Sequence, residues 1–375
     1  MAYISNKEIK SIIKNNNKEI KALEKKKKAY TKEDYITSMK DENNIVEFDE
    51  LKTYFFTDNG VVKAVNGVTF EVPKNSIVGI VGESGCGKSV TSLSLMRLLQ
   101  GPSGQIYDGA IRFRGSDDVV YDIAKMPLKE MCKIRGKDIT MIFQEPMTSL
   151  NPVFTIGNQL DEVSILHNHF NKADSKKRSI EMLKLVGIPD PEMVYKKYPH
   201  ELSGGMRQRV MIAMALAAEP KLIIADEPTT ALDVTIQAQI LDLLRNIKQK
   251  LSSSIMLITH DLGVIAEMAD YVIVMYAGKI IEKGTVMEIF ENPLHPYTIG
   301  LQKAKPRVDG NSNEPLFSIP GNVPNPINMP TYCYFKNRCD SCIKKCDEEY
   351  PEMIQVSPTH FVSCYAAMEK MKGDK

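Results

Sequence analysis

The sequence predicts a doubly wound α/β core that opens on antiparallel strands and ends in a loop-rich, proline-rich module. Three observations carry that expectation. A short apolar run at residues 76–81 leads into Gly82-Glu83-Ser84-Gly85-Cys86-Gly87-Lys88-Ser89, and a helix-like pattern follows at 90–99. Further apolar runs at 222–225 and 254–259 alternate with helical stretches, among them the largely apolar 210–218. Alternation then stops where prolines gather: Pro293, Pro296, Pro306, Pro315, Pro320, Pro324, Pro326 and Pro330.

Taken in chain order, residues 1–44 form a Lys-rich extension. Residues 1–45 hold eleven Lys and seven acidic residues with neither Gly nor Pro. Like-charged blocks of this kind favour a frayed, solvated segment. Ile9, Ile12, Ile13, Ile20 and Leu23 fall loosely at helical spacing, which leaves open a short amphipathic helix touching anionic lipid. From Ile45 the pattern turns to strands, with a run at 61–72 marking the antiparallel entry, and the core is expected to extend to about residue 290. Residues 291–375 form the third unit.

Composition narrows the classes. Apolar residues make up 43% and charged residues 25%, the proportions of a globular chain rather than a disordered or collagenous one. The 48 Lys and Arg against 47 Asp and Glu leave a net charge of +1, so no basic excess points to nucleic acid. No apolar run is long enough to cross a membrane, and the opening MAYISNKEIK lacks the apolar centre of a secretion signal.

The chemistry begins at residues 82–89, which fit G-x-x-x-x-G-K-[ST] in the strand-to-helix setting the motif requires. Glycines let the backbone wrap a phosphate with its N–H groups turned inward, and the helix N-terminus adds a favourable dipole. Lys88 would reach the β- and γ-phosphates of a nucleotide, and the Ser89 hydroxyl would hold Mg²⁺. Cys86, beside that helix start, is a candidate for a lowered thiol pKa. The run 222–225 ends in Asp226 and Glu227, suited to the Mg²⁺ shell and to polarising an attacking water.

Between these two elements lies Leu202-Ser203-Gly204-Gly205-Met206-Arg207-Gln208-Arg209. Here the chain resembles the ATP-binding-cassette family, whose signature reads LSGGQ with Met206 in place of the Gln. Phe143-Gln144-Glu145 resembles the family's Q-loop, Ala231-Leu232-Asp233 its D-loop and Thr259-His260-Asp261 its switch histidine, all in the right order. The resemblance implies a RecA-like core with an antiparallel β entry and a helical subdomain, over roughly residues 45–284. It also implies two cassettes paired head to tail, each nucleotide lying between one subunit's Lys88 loop and the other's Ser203-Gly204-Gly205. Glu227, His260 and Gln144 are then the catalytic residues, Gln144 also reaching the Mg²⁺ that Ser89 and Asp226 hold. Gly82 to Ser89, Val90 and Asp233 complete the nucleotide contacts. Phe55, in Thr53-Tyr54-Phe55-Phe56, aligns with the family's adenine-stacking aromatic; ordinary strand packing is the alternative.

Two further segments, 291–298 (Glu-Asn-Pro-Leu-His-Pro-Tyr-Thr) and 145–152 (Glu-Pro-Met-Thr-Ser-Leu-Asn-Pro), resemble the ATPase subunits of oligopeptide and dipeptide importers. That likeness implies two membrane permease subunits, a second ATPase subunit that is homologous or identical, an extracytoplasmic peptide-binding protein, and a place on the cytoplasmic face of the membrane. A nickel or other small-solute importer is the alternative. DNA-repair and chromosome-type cassettes share the motifs, but they insert a long coiled coil where residues 89–202 show no sustained heptads. Ribosome-acting cassettes usually carry two cassettes in one chain, and this sequence shows one.

Of seven cysteines, five lie between Cys333 and Cys364. Cys333, Cys339, Cys346 and Cys364 suit a metal or cluster site better than disulfides in a reducing compartment. They match the positions at which some peptide-importer ATPases carry a four-iron, four-sulfur cluster. Tetrahedral zinc and unligated thiols remain the alternatives, and Cys342 lies outside the four-residue pattern.

Overall fold

The computed structural model of the 375-residue chain describes residues 5–145, 149–230, 233–304 and 317–373. Two sheets organise them. In the five-stranded sheet, strands β1 (Ile36–Thr37), β2 (Asn44–Thr57), β3 (Gly60–Pro73), β5 (Gly104–Arg114) and β6 (Val120–Asp122) pair antiparallel in the order β1-β6-β5-β2-β3. The β2–β3 hairpin closes through Asp58-Asn59, and Gly60 carries the positive φ that this tight turn needs.

The larger sheet comprises β4 (Ile77–Val81), β7 (Ile139–Ile142), β8 (Leu222–Asp226), β9 (Ser254–Ile258), β10 (Tyr271–Tyr276), β11 (Lys279–Thr285), β12 (Ile354–Gln355) and β13 (Phe361–Val362). Its order is β12-β13-β11-β10-β4-β9-β8-β7, with β10, β4, β9, β8 and β7 parallel. Every residue of β4, β7, β8 and β9 is buried. A parallel sheet covered on both faces gives such continuous apolar runs, which is why β4, β8 and β9 were legible as short apolar stretches, whereas β7, equally buried, was not singled out. On one face Phe48, Phe70 and Phe113 of the smaller sheet meet Ile80, Ile224 and Met256. On the other pack the helices Ile156–Asn168, Lys172–Leu185, Gly204–Leu216 and Val234–Leu251. This is the expected α/β cassette with its antiparallel entry and helical layer.

The N-terminal segment departs from the expected frayed extension. Residues Asn6–Ala29 form a helix started by a Ser5–Glu8 capping box. The helix lies on the smaller sheet, with Ile20 buried and the Asn16 side-chain amide donating to the Thr57 carbonyl at 2.8 Å. Lys27 reaches Gln105 at 2.5 Å, and burial beside Arg97 lowers its pKa to about 8. Four lysines in a row therefore end a docked helix, where cations suit the dipole, rather than mark an unfolded tail.

The C-terminal module is joined to the core more closely than a linked unit. Tyr297, Tyr334 and Phe335 sit in the same apolar core as Ile77 and Val81, and β13 extends the main sheet beside β11. Pro306 and Pro315 lie outside the described residues.

Candidate functional site

Residues 82–89 span the turn from β4 into the helix Lys88–Leu95. Gly82 (φ +152°) and Gly87 (φ +104°) cannot be replaced without collision, since an added Cβ would lie 2.2 Å from the Met275 carbonyl oxygen and 2.4 Å from that of Ala64. Lys88 is buried, its Nζ donating to the carbonyls of Gly82 (2.7 Å) and Glu83 (3.1 Å). Val90 stands half-buried in the first helical turn. Ser84 and Gly85 are exposed at the tip of the loop.

Three parallel strands deliver the remaining groups to the same end of the sheet, the carboxyl end where α/β folds place ligands. Asp226 closes β8 and accepts a 3.1 Å hydrogen bond from the Ser89 hydroxyl. Burial pushes its carboxyl up to about 6, Glu227 adding to the rise while Ser89 and Lys88 oppose it. The Glu227 backbone turns left-handed (φ +48°), and its carboxylate accepts from Gln144 Nε2 at 2.8 Å and Thr230 Oγ1 at 3.0 Å. His260, just past β9, brings Nδ1 to 3.3 Å from the same carboxylate. Lys88, Ser89, Gln144, Asp226, Glu227 and His260, scattered over the sequence, are thus assembled by sheet order alone. Thr230 escaped the sequence reading because a Thr after a motif carries no signal of its own.

Other expected residues stand elsewhere. Ser203 caps the helix Gly204–Leu216 by accepting from the Met206 N–H, Ser203 and Gly204 are exposed, and Gly205 packs on Ile236. Asp233 caps the neighbouring helix Val234–Leu251 through the Ile236 N–H at 2.9 Å. Asp233 is exposed as well, Gly205 is half-buried, and none of these residues makes a hydrogen bond to residues 82–89 among the described residues. Phe55 pairs in β2 with Val62 and lies against Gly104, whose added Cβ would meet its ring at 2.9 Å. Ala231, Leu232 and residues 146–148 lie outside the described residues. For Cys86 the expectation is overturned: only 1% of it is exposed, and burial raises its thiol pKa rather than lowering it.

In the C-terminal module, Cys333, Cys339, Cys346 and Cys364 are neighbours. Burial lifts the Cys333 thiol to about 12, with Cys346, Cys364 and Cys339 each adding to the rise, and it lifts Cys339 to about 11. The Cys333 N–H donates to the Cys346 carbonyl at 3.4 Å. Cys342 is exposed. Among the described residues no group of three or more His, Cys, Asp or Glu side chains is placed to hold a metal ion.

Comparison with known proteins decides the family. Residues 65–230 match the ABC transporter family, and residues 281–346 match the oligopeptide/dipeptide transporter, C-terminal region. The oligopeptide transport ATP-binding protein AppD of Bacillus subtilis is 49% identical over 328 residues, covering 88% of this chain and 98% of its own. This chain belongs to the ATP-binding proteins of oligopeptide and dipeptide ABC transporters. The dipeptide transport ATP-binding protein DppD of the same organism is 50% identical over 321 residues, 86% of this chain and 94% of that one. Among solved structures, the dimeric cassette MJ0796 in a post-hydrolysis state with ADP and Pi superposes with a TM-score of 0.57 at 25% identity, over 64% of this chain and 98% of its own. In this ABC transporter ATPase no described helix is long and apolar enough to cross a membrane.

Proposed function

We propose that the chain is the ATP-hydrolysing subunit of a peptide importer, attached to the cytoplasmic face of the membrane through two permease subunits. The convergence of Lys88, Ser89, Asp226, Glu227, Gln144 and His260 carries this reading. Lys88 binds the β- and γ-phosphates of ATP, taking them in place of the two loop carbonyls. Ser89, Asp226 and Gln144 would hold Mg²⁺, which when bound neutralises charge developing between the phosphates. Glu227 polarises the attacking water; His260, sharing its carboxylate, orients toward the γ-phosphate. Ser203, Gly204 and Asp233 are exposed, with Gly205 beside them, available to complete the nucleotide site of a second, homologous or identical ATPase subunit. Phe55 stacks on adenine. Exposed Val153 (71%), Leu166 (62%), Phe154 and Ile165 offer the permeases an apolar surface on the helical layer that follows the Gln144 loop. An extracytoplasmic peptide-binding protein supplies the cargo.

Glu227→Gln tests the assignment. ATP binding should persist while turnover by the assembled transporter falls by about 10²–10⁴-fold, the usual worth of a general base. Turnover near that of the parent protein would remove Glu227 from the chemistry.

The finer reading of the C-terminal module is a four-iron, four-sulfur cluster on Cys333, Cys339, Cys346 and Cys364. Four soft thiols close enough to raise one another's pKa support it, since such clusters take thiolate ligands. A single tetrahedral zinc ion is the alternative occupant, since the same four thiols could also ligate it. Anaerobically purified protein should contain about four iron atoms with matching sulfide and a broad visible absorption. Stoichiometric zinc without iron would reject the cluster.

A further inference from the structure

The phosphate loop is gripped from outside the cassette motifs. Arg338 sits in the short turn Lys336–Arg338, between Cys333 and Cys339, and its side chain is only 4% exposed. Its guanidinium donates to both carboxylate oxygens of Glu83, Nη1 to Oε2 at 2.7 Å and Nη2 to Oε1 at 2.9 Å. The remaining N–H groups are also occupied: Nε by the Pro320 carbonyl at 2.8 Å, Nη2 by that of Ile319 at 3.3 Å and Nη1 by the Tyr276 hydroxyl at 3.3 Å. All five guanidinium donors therefore have partners, and only one rotamer of a planar fork satisfies them together.

Glu83 is the second residue of the loop, and it is held at three points. Its carboxylate takes Arg338, its N–H donates to the Tyr297 hydroxyl at 2.8 Å, and its carbonyl accepts from Lys88 Nζ at 3.1 Å. Tyr297 is itself fully buried against Tyr276 and Phe335, with ring centroids 4.7 and 5.4 Å away. One residue thus links the C-terminal module on one side to the phosphate-binding lysine on the other. A loop built from glycines is free to adopt many backbone shapes, so an external clamp has something to decide.

We propose that Arg338 is a positioning residue for ATP binding: through its fork on Glu83, the cysteine-bracketed turn of the C-terminal module sets the shape of the phosphate loop and the reach of Lys88. The proposal rests on the ATP-site reading but not on what the cysteines hold. Its effect falls on nucleotide affinity, because Arg338 touches neither the attacking-water residue Glu227 nor the metal-side residues Ser89 and Asp226.

The test uses the full chain with radiolabelled ATP and, in the assembled transporter, steady-state turnover. Arg338→Lys keeps the charge but cannot fork, so ATP Kd and KM should rise about tenfold while kcat at saturating ATP changes little. Glu83→Gln, made from the loop side, should also raise the ATP Kd, and the double variant should be no worse in Kd than the worse single one, as for two members of one interaction. Should Arg338→Lys fail to fold, Arg338→Gln, which keeps a donor at that position but neither the fork nor the charge, decides. An unchanged ATP Kd in a folded single variant, or fully additive effects in the double, overturns the proposal. Absence of ATP binding by the parent protein would instead overturn the ATP-site reading itself.

Discussion

Asp226 sets a cost against a use. Its carboxyl is 7% exposed and burial raises its pKa from the ordinary 3.8 to about 6. The unfolded chain releases that proton first, so stability falls as pH rises from about 4 to about 6 and stays lower above that window. Asp226→Asn removes the penalty. The metal-free variant should melt above the parent protein at pH 8, by on the order of 1–3 kcal/mol, and the gap should close near pH 4. Mg²⁺-dependent ATP hydrolysis should be lost in the same variant. A lower melting temperature at pH 8 would mean that the Ser89 hydrogen bond outweighs burial. Residues such as Lys88, Ser89 and Asp226 were legible in the sequence because fixed spacing encodes their geometry. Arg338 was not, since it stands 255 positions beyond the phosphate loop's Glu83, and nothing in the run Lys336-Asn337-Arg338 distinguishes a buried fork from a solvated cation.

At the scale of elements, the N-terminal helix teaches how charge can mask a fold. Net composition marked residues 1–44 as solvated, yet Ser5-x-x-Glu8 is a helix-start signal and Lys26, Lys27 and Lys28 fall in the last turn. What the sequence could not supply was the surface beneath: the Thr57 carbonyl and Gln105 on the smaller sheet. Docking rests on few contacts, so single changes should be felt. Ile20→Ala should cost about 2 kcal/mol and Asn16→Ala about 1 kcal/mol of local stability. Hydrogen exchange would read both as faster exchange across Asn6–Ala29, with β4 and β9 unaffected. Free exchange of this helix in the parent protein would show that it does not stay docked. Strands β4, β8 and β9 of the larger sheet were easier, because burial on both faces leaves an unbroken apolar run, whereas β12 and β13, two residues each, are too short to leave any pattern.

For the molecule as a whole, the decisive joint is Glu282 in β11. It is fully buried and accepts from the N–H groups of Leu294 (2.8 Å) and His295 (2.9 Å), while His360 Nε2 lies 2.9 Å away. One carboxylate thereby fastens the core to both ends of the C-terminal module. Glu282→Ala strands those donors away from water and should cost about 3 kcal/mol or more. Limited proteolysis should then cut within residues 291–360 before the cassette unfolds; resistance equal to that of the parent protein would show that apolar packing alone holds the module. The β13 pairing has a further consequence, for synthesis. Strand β11 receives its outer partner only at Phe361 and Val362, so residues 286–360 must follow it off the ribosome first, about 4–15 s at ordinary elongation rates. Through that interval a nearly complete sheet presents a bare row of backbone donors and acceptors, an open invitation to join a neighbouring nascent chain. Messages truncated before codon 361 would make that exposure permanent and send their product toward aggregates.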